Sequence, residues 1–231
     1  MSTLLLTRRR LQRVLATALL LPAFALPALA QDKAPRVKLA TSQGDIVLEL
    51  YPDKAPRTVE NFLQYVRDGH YDGTVFHRVI SNFMIQGGGF DARLQQKPTR
   101  PPVPHEGQEA LAKGGPRNVT GTIAMARTND PQSATAQFFI NVKDNAFLDP
   151  TPIPPGDPVP KFEYRGRTYE NVPRANLLGA PELYGYTVFG RVVAGMDVVN
   201  KIKDLPTGAA GPFGSDVPRT TVTINKATLE K

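Results

Sequence analysis

The 231-residue chain contains no cysteine, which removes disulfide frameworks, thiolate nucleophiles and cysteine-based metal sites together. Stability must come from packing, and that is sufficient here: a domain near 200 residues buries roughly 70% of the surface its unfolded chain exposes. Histidine is almost as scarce. His70, His77 and His105 stand far apart without ligand spacing and read as structural residues. No G-x-S-x-G, H-E-x-x-H or phosphate loop occurs, so neither a metal nor a cofactor is expected. Whatever chemistry the chain performs must rest on shape, hydrogen bonds and a charge that does not titrate near neutrality.

Acids are missing from residues 1–30, where Arg8, Arg9, Arg10 and Arg13 fall. The formal net charge of +7 is therefore largely local: beyond that segment 24 basic side chains face 21 acidic ones, a balance of +3. This is too slight and too scattered for a phosphate-binding surface, so no nucleic-acid partner is expected. Long apolar runs are missing too. The stretch Val14 to Leu21, free of charge and proline, is far shorter than the roughly 20 residues of a spanning helix. A basic start, an apolar stretch from Val14 to Leu29 broken by Pro22 and Pro27, and the small-residue end Ala28-Leu29-Ala30 have the layout of a cleavable export signal, cut after Ala30. Thr7-Arg8-Arg9-Arg10-Leu11 resembles the start of a twin-arginine signal, although Gln12 stands where an apolar residue is usual. The route, Sec or twin-arginine, stays open; either implies a periplasmic or otherwise exported protein with no stable membrane insertion after cleavage.

What is present beyond residue 30 reads as a polar tail over 31–35 and then one domain over 36–231, since 41% apolar residues is ordinary for a single globular core. Val37 to Ala40 and Ile46 to Leu50 flank a glycine-containing turn and predict an opening hairpin. Pro56 to Asp68 predicts a helix, with Val59, Phe62, Leu63 and Val66 on one face and Gly69 as its end. Short β-rich runs follow at Val75–Ile80, Phe83–Gln86, Thr122–Ala126, Gln137–Val142, Thr187–Val193 and Thr220–Ala227, with a second helix over Gly195–Lys203. Residues 91–121 read as one long loop. Strands this short and separated predict an antiparallel barrel or sandwich. Between Pro150 and Pro181 lies an unusual insertion: Pro150, Pro152, Pro154, Pro155, Pro158 and Pro160 fall within eleven positions, a density that favours extended polyproline backbone over helix or central strand. Phe162 to Tyr164 and Arg167 to Tyr169 could form a small hairpin around Arg165-Gly166.

Period-two alternation singles out two runs. In Gln137-Phe138-Phe139-Ile140, Phe138 and Ile140 share an apolar face, while Gln137 and Phe139 share a face that mixes an amide with a ring. Met84 and Gln86 are paired in the same way. Such a face suits either a pocket for an apolar ring beside a peptide bond or merely a partly exposed strand. Gly87-Gly88-Gly89 lacks the helix and spacing of a dinucleotide loop and reads as a place where backbone approaches backbone.

Five blocks in order, Phe76-His77-Arg78-Val79-Ile80, Phe83 to Gly88, Ile123 to Arg127, Ser133 to Ile140 and Val188 to Val192, resemble the cyclophilin family of peptidyl-prolyl cis/trans isomerases. The likeness covers about Val37 to Lys226 apart from the insertion. Ala126-Arg127-Thr128 and Asn145 to Asp149 look like the family's bacterial branch. The resemblance implies a mainly β fold, an eight-stranded antiparallel barrel capped by two α-helices, with the site on the barrel's outer surface. It places Arg78 and Gln86 in catalytic roles and Phe83, Met84, Ala126, Arg127, Gln137, Phe139, Phe147, Leu148 and Tyr186 in substrate binding. Phe83, Met84, Phe139 and Leu148 would receive the proline ring; Gln86, Gln137 and the backbone near Arg127 would hold the flanking peptide. Phe147 and Tyr186 stand where eukaryotic members commonly carry Trp and His, which implies weak or no cyclosporin binding. The expected partners are proline-containing unfolded or partly folded polypeptides, met by a monomer. A proline-peptide binding module or chaperone with incidental turnover is the alternative. The insertion leaves between Leu148 and Tyr186 and could be an inert loop, a docking arm or a cover over the pocket.

Overall fold

The structure, a computed structural model, describes residues 34–230; the expected export signal lies outside the described residues. Strands β1 (Arg36–Thr41) and β2 (Gly44–Leu50) form the opening hairpin, and buried residues alternate along both. Val37, Leu39, Ile46, Leu48 and Leu50 are fully buried, as a strand with one face toward a core requires. Helix α1 (Pro56–Arg67) starts on Pro56 and buries Val59, Phe62, Leu63 and Val66. Its N-cap, Ala55, offers no side-chain acceptor. The carboxylate of Glu106 supplies the cap from a distant loop, accepting from the N–H of Arg57 at 3.2 Å and from the N–H and hydroxyl of Thr58, each at 2.7 Å. Burial alone would raise this carboxyl's pKa, but the bonds from Thr58 and from the Arg57 guanidinium, 3.0 Å away, prevail and hold it below the ordinary value.

The chain continues through β3 (Thr74–Ile80), β4 (Met84–Asp91), a short helix α2 (Gly107–Ala112), β5 (Thr122–Met125) and β6 (Phe138–Asn141). The insertion contributes β7 (Val159–Tyr164), β8 (Arg167–Val172) and α3 (Arg174–Leu178). Then come β9 (Val188–Ala194), α4 (Met196–Lys203), β10 (Thr207–Ala210), β11 (Phe213–Pro218) and β12 (Thr223–Glu230). Eight strands close into a barrel in the order β1-β12-β3-β4-β6-β5-β9-β2, every pairing antiparallel. Inside, Phe62 of α1 meets Tyr71, Phe138 and Phe189 at 5.1, 5.8 and 5.2 Å between ring centres. Val199 and Ile202 of α4 join the same core. The two expected capping helices are thus α1 and α4.

The structure departs from expectation at four places. Residues 91–121 are not one loop, because α2 lies among them; six residues make less than two turns and leave no legible periodicity. Two further short helices, α2 and α3, join the expected pair. The β10–β11 hairpin was not anticipated either, since Thr207-Gly-Ala-Ala and Phe213-Gly-Ser-Asp lack apolar alternation. The insertion has no regular structure over residues 151–154, bends over 155–158 and then folds. Hairpin β7–β8 turns on Arg165 and Gly166, with Phe162 opposite Tyr169. Both turn residues have positive φ, 49° and 73°, as the tight hairpin turn matching strand twist demands. Val159, Phe162, Leu177 and Leu183 form a small core separate from the barrel's.

Candidate active site

The alternation read in the strands sorts their side chains onto two sides of the barrel wall. Phe138, Ile140 and Ile85 belong to the interior core, whereas Met84, Ala124, Phe139, Leu148 and Val188 form a second apolar cluster with Phe83, Ala126 and Tyr186 packed against it. Strand register aligns the site. Arg78 on β3 lies opposite Gln86 on β4, Gln86 opposite Phe139 on β6, Phe139 opposite Ala124 on β5, and Ala124 opposite Val188 on β9. Directly opposed residues share a face at about 4.5–5.5 Å between Cβ atoms. Five strands therefore present one continuous row, from a guanidinium through an amide to an apolar surface.

At the middle of this row is a cavity of about 80 Å³, lined by Arg78, Phe83, Met84, Gln86, Ala126, Arg127, Phe139, Leu148 and Tyr186. Pockets that enclose cofactors or drug-sized ligands are larger, roughly 300–1,000 Å³; this one suits a single small ring. Met84, Phe139 and Leu148 are 2%, 4% and 7% exposed, so its walls are dry and fixed. Tyr186 stands edge-on to Phe139 at 5.4 Å, and the Arg127 guanidinium lies 4.6 Å above the Tyr186 ring. Phe147 lies at the rim rather than in the lining: it is 76% exposed and stacks on Phe83 at 5.5 Å. Gln86 donates from Nε2 to Oε1 of Gln137 at 3.0 Å, which leaves the Gln137 amide N–H groups for another acceptor. Gln137 and Arg127 also line an adjoining cavity of about 340 Å³ edged by Thr128, Ser133 and Thr135. Every sequence-predicted site residue is thus brought to one surface.

The Gly87-Gly88-Gly89 run works differently from the expectation. At Gly87 a Cβ would approach the Val75 carbonyl at 3.1 Å, but at Gly88 it would meet the rings of Tyr71 and Phe138, and at Gly89 it would lie 2.6 Å from Cδ of Gln137. Side chains, more than backbone, fill the space. Gly89 in particular leaves room for Gln137 to lie flat and reach Gln86.

Other supports escaped the sequence reading. Asn145 donates to the Phe83 carbonyl at 2.9 Å and to Asn141 at 2.8 Å; Asn141 donates to Thr122 at 3.0 Å and to Asn118 at 3.3 Å; Asn118 donates to the Leu148 carbonyl at 3.1 Å. This buried chain of amides ties the Phe83 and Leu148 segments together. The one signal for it was an asparagine ending the apolar run Phe138-Phe139-Ile140-Asn141. On the other flank the Gly185 carbonyl accepts from Arg127 Nε at 3.0 Å and lies 3.3 Å from His105 Nε2. His105 Nδ1 accepts the Gly107 N–H at 3.1 Å, so Nε2 carries the proton. Gly185 has φ +59° and no space for a side chain, with Asp149 and Leu148 backbone atoms 2.5 and 2.6 Å from an added Cβ. The insertion's neck is therefore pinned beside Tyr186. No residue from Pro150 to Pro181 lines either cavity. Burial pushes His77 and His105 down to about 4, so both are neutral at pH 7, and it lowers His70 as well. Among the described residues no cluster of potential metal ligands occurs, and no helix is long and apolar enough to cross a membrane.

A closed antiparallel barrel that carries a ring-sized apolar cavity on its outer wall, flanked by a guanidinium and two amides, defines a protein that works on a peptide by shape and hydrogen bonding. Residues 36–229 match the family model described as cyclophilin type peptidyl-prolyl cis-trans isomerase/CLD. The chain is 51% identical over 193 residues to peptidyl-prolyl cis-trans isomerase cyp18 of Streptomyces antibioticus, covering 84% of this chain and 97% of that one. It is 45% identical to peptidyl-prolyl cis-trans isomerase B of Escherichia coli K12 (84% and 99% covered) and 42% identical to peptidyl-prolyl cis-trans isomerase A of Dickeya dadantii (96% and 98%). A solved cyclophilin type isomerase from Cryptosporidium parvum, 20% identical, shares the fold with a TM-score of 0.52 over 86% of this chain and 98% of its own. The chain belongs to the cyclophilin-type peptidyl-prolyl cis-trans isomerases. It is accordingly an isomerase of X-Pro bonds in proline-containing peptides.

Proposed function

We propose that the chain turns X-Pro bonds without covalent chemistry, with Arg78 as the donor to the proline nitrogen, in proteins that have been exported. The observation that carries the reading is the register row Arg78–Gln86–Phe139–Ala124, which sets a permanently charged donor beside a dry, ring-sized cavity. Uncatalysed rotation takes tens to hundreds of seconds, because twisting the amide breaks its resonance against a barrier of roughly 18–20 kcal/mol. Twisting localises a lone pair on the nitrogen, and a guanidinium N–H bonds that pair only once resonance has gone, which favours the transition state over the ground state. One such contact contributes about 3–4 kcal/mol, whereas an acceleration of about a millionfold needs about 8 kcal/mol. The remainder comes from seating the ring among Phe83, Met84, Phe139 and Leu148, from gripping the flanking peptide through Gln86 and Gln137, and from excluding water that hydrogen-bonds the planar amide.

The export context is supported by the basic, apolar and small-residue layout of residues 1–30. The clients are unfolded or partly folded exported polypeptides, met by a monomer in the periplasm or beyond. Arg78→Ala tests the reading: isomerisation of a proline peptide is expected to fall about 100- to 1,000-fold while the peptide still binds. Unchanged turnover would remove Arg78 from the mechanism.

A further inference from the structure

The β10–β11 hairpin stands outside the closed barrel, yet it packs on β3, the strand that carries Arg78. Its seat is apolar. Phe213 stacks on His77 at 5.3 Å and meets Phe90 edge-on at 5.0 Å, and Val217 and Pro218 are buried. Between these anchors Asp216 adopts φ +66°, a left-handed backbone that residues with side chains rarely take and that Asn and Asp tolerate best. The conformation brings its Oδ2 to 3.8 Å from Nε of Arg78. Among the described residues, Asp216 is the one carboxylate within ion-pair distance of that guanidinium.

The distance is informative. At 3.8 Å the contact is an ion pair but not a hydrogen bond, so it consumes no N–H of Arg78. A guanidinium is a rigid planar fork; a charge on its Nε edge sets the direction of the two terminal nitrogens without occupying them. The Arg78 side chain is 43% exposed, so without such a partner it would sample many rotamers. We propose that Asp216 is a positioning residue for Arg78, with the β10–β11 hairpin as its brace. This rests on the role proposed above for Arg78.

Four proteins test it: the unmodified chain, Asp216→Asn, Arg78→Ala and the double variant, each assayed for kcat and KM on a proline peptide and for its thermal midpoint. Asparagine keeps the left-handed backbone and removes only the charge. Asp216→Asn is expected to lower kcat about five- to tenfold, the scale of freeing one long side chain, with KM and midpoint unchanged. In the Arg78→Ala background it is expected to do nothing further. Wild-type turnover in Asp216→Asn, or an equal loss in both backgrounds, would overturn the proposal. Full turnover in Arg78→Ala would instead bring down the reading of Arg78 on which it rests. Should Asp216→Asn fold poorly, Asp216→Gly, which also accepts positive φ, must show the same fall in kcat.

Discussion

Phe147 holds its ring almost in open solvent, 76% exposed, and keeps one face on Phe83. A phenyl ring at this rim offers apolar area but no N–H donor, which an indole there would add. Cyclosporin is therefore expected to inhibit the enzyme weakly, and Phe147→Trp to tighten it by about two- to tenfold, the scale of one added hydrogen bond. Titration of proline-peptide turnover with cyclosporin measures this; equal inhibition of both proteins would place the determinant elsewhere. Gln86, Phe139 and Met84 were legible because a strand repeats every two residues, so that an amide shares its face with a ring or a thioether two positions away; Arg78 was placed only by the family resemblance. Asp216, His105 and Gly185 were not legible. They reach the site through closure of the barrel and of the insertion's neck, and nothing local in Gly-Ser-Asp or Pro-His-Glu encodes such a partner.

At the scale of an element, β4 owes its function to the absence of a side chain. Gly89 keeps Gln137 against the strand, and Gln137 accepts from Gln86. Gly89→Ala places a methyl within 2.6 Å of Cδ of Gln137, so the amide pair must part. Losing one hydrogen bond of this kind predicts a rise in KM of about two- to tenfold with a smaller change in kcat, read from peptide kinetics. An unchanged KM would show that the pair takes no part in binding. Helix α1 and the hairpin β1–β2 were foreseen almost to their ends, because each carries a full period of buried residues. Helix α2, six residues long, and the Gly/Ala-rich β10–β11 offered no period to read. The insertion's hairpin was visible in Tyr164-Arg165-Gly166-Arg167, where a turn residue sits between β-formers; its small core was not.

For the whole molecule, Glu106 joins α1 to the loop beside the site, capping Arg57 and Thr58 while its own N–H donates to Thr187 at 3.2 Å. Glu106→Gln is expected to destabilise the fold by about 2–3 kcal/mol, the scale of hydrogen bonds to a buried charge. Because the folded carboxyl lies below its ordinary 4.5, this contribution is present above that value and disappears as pH falls through the folded pKa. The gap in thermal midpoint between the two proteins should close on acidification; a gap that persists unchanged would mean that the carboxylate's charge is irrelevant. The insertion has a small core of its own. Thr151 N–H bonds the Leu183 carbonyl at 2.9 Å, so the ends of a Pro152–Pro181 deletion lie almost together. Since the segment lines neither cavity, its removal should leave small-peptide turnover within about twofold, as for sites that share no partner. A large loss would make it part of the site.

The central claim is that the rotating bond is served by a guanidinium, at a cavity that no histidine lines. An arginine guanidinium carries a charge that does not titrate near neutrality, while His77 and His105 lie at about 4 and His70 is also lowered by burial. The most direct measurement is the pH dependence of kcat/KM for a proline peptide. A flat profile between about pH 6 and 9 is predicted; a limb near the ordinary histidine value of about 6.5 would contradict it and transfer the chemistry to an imidazole.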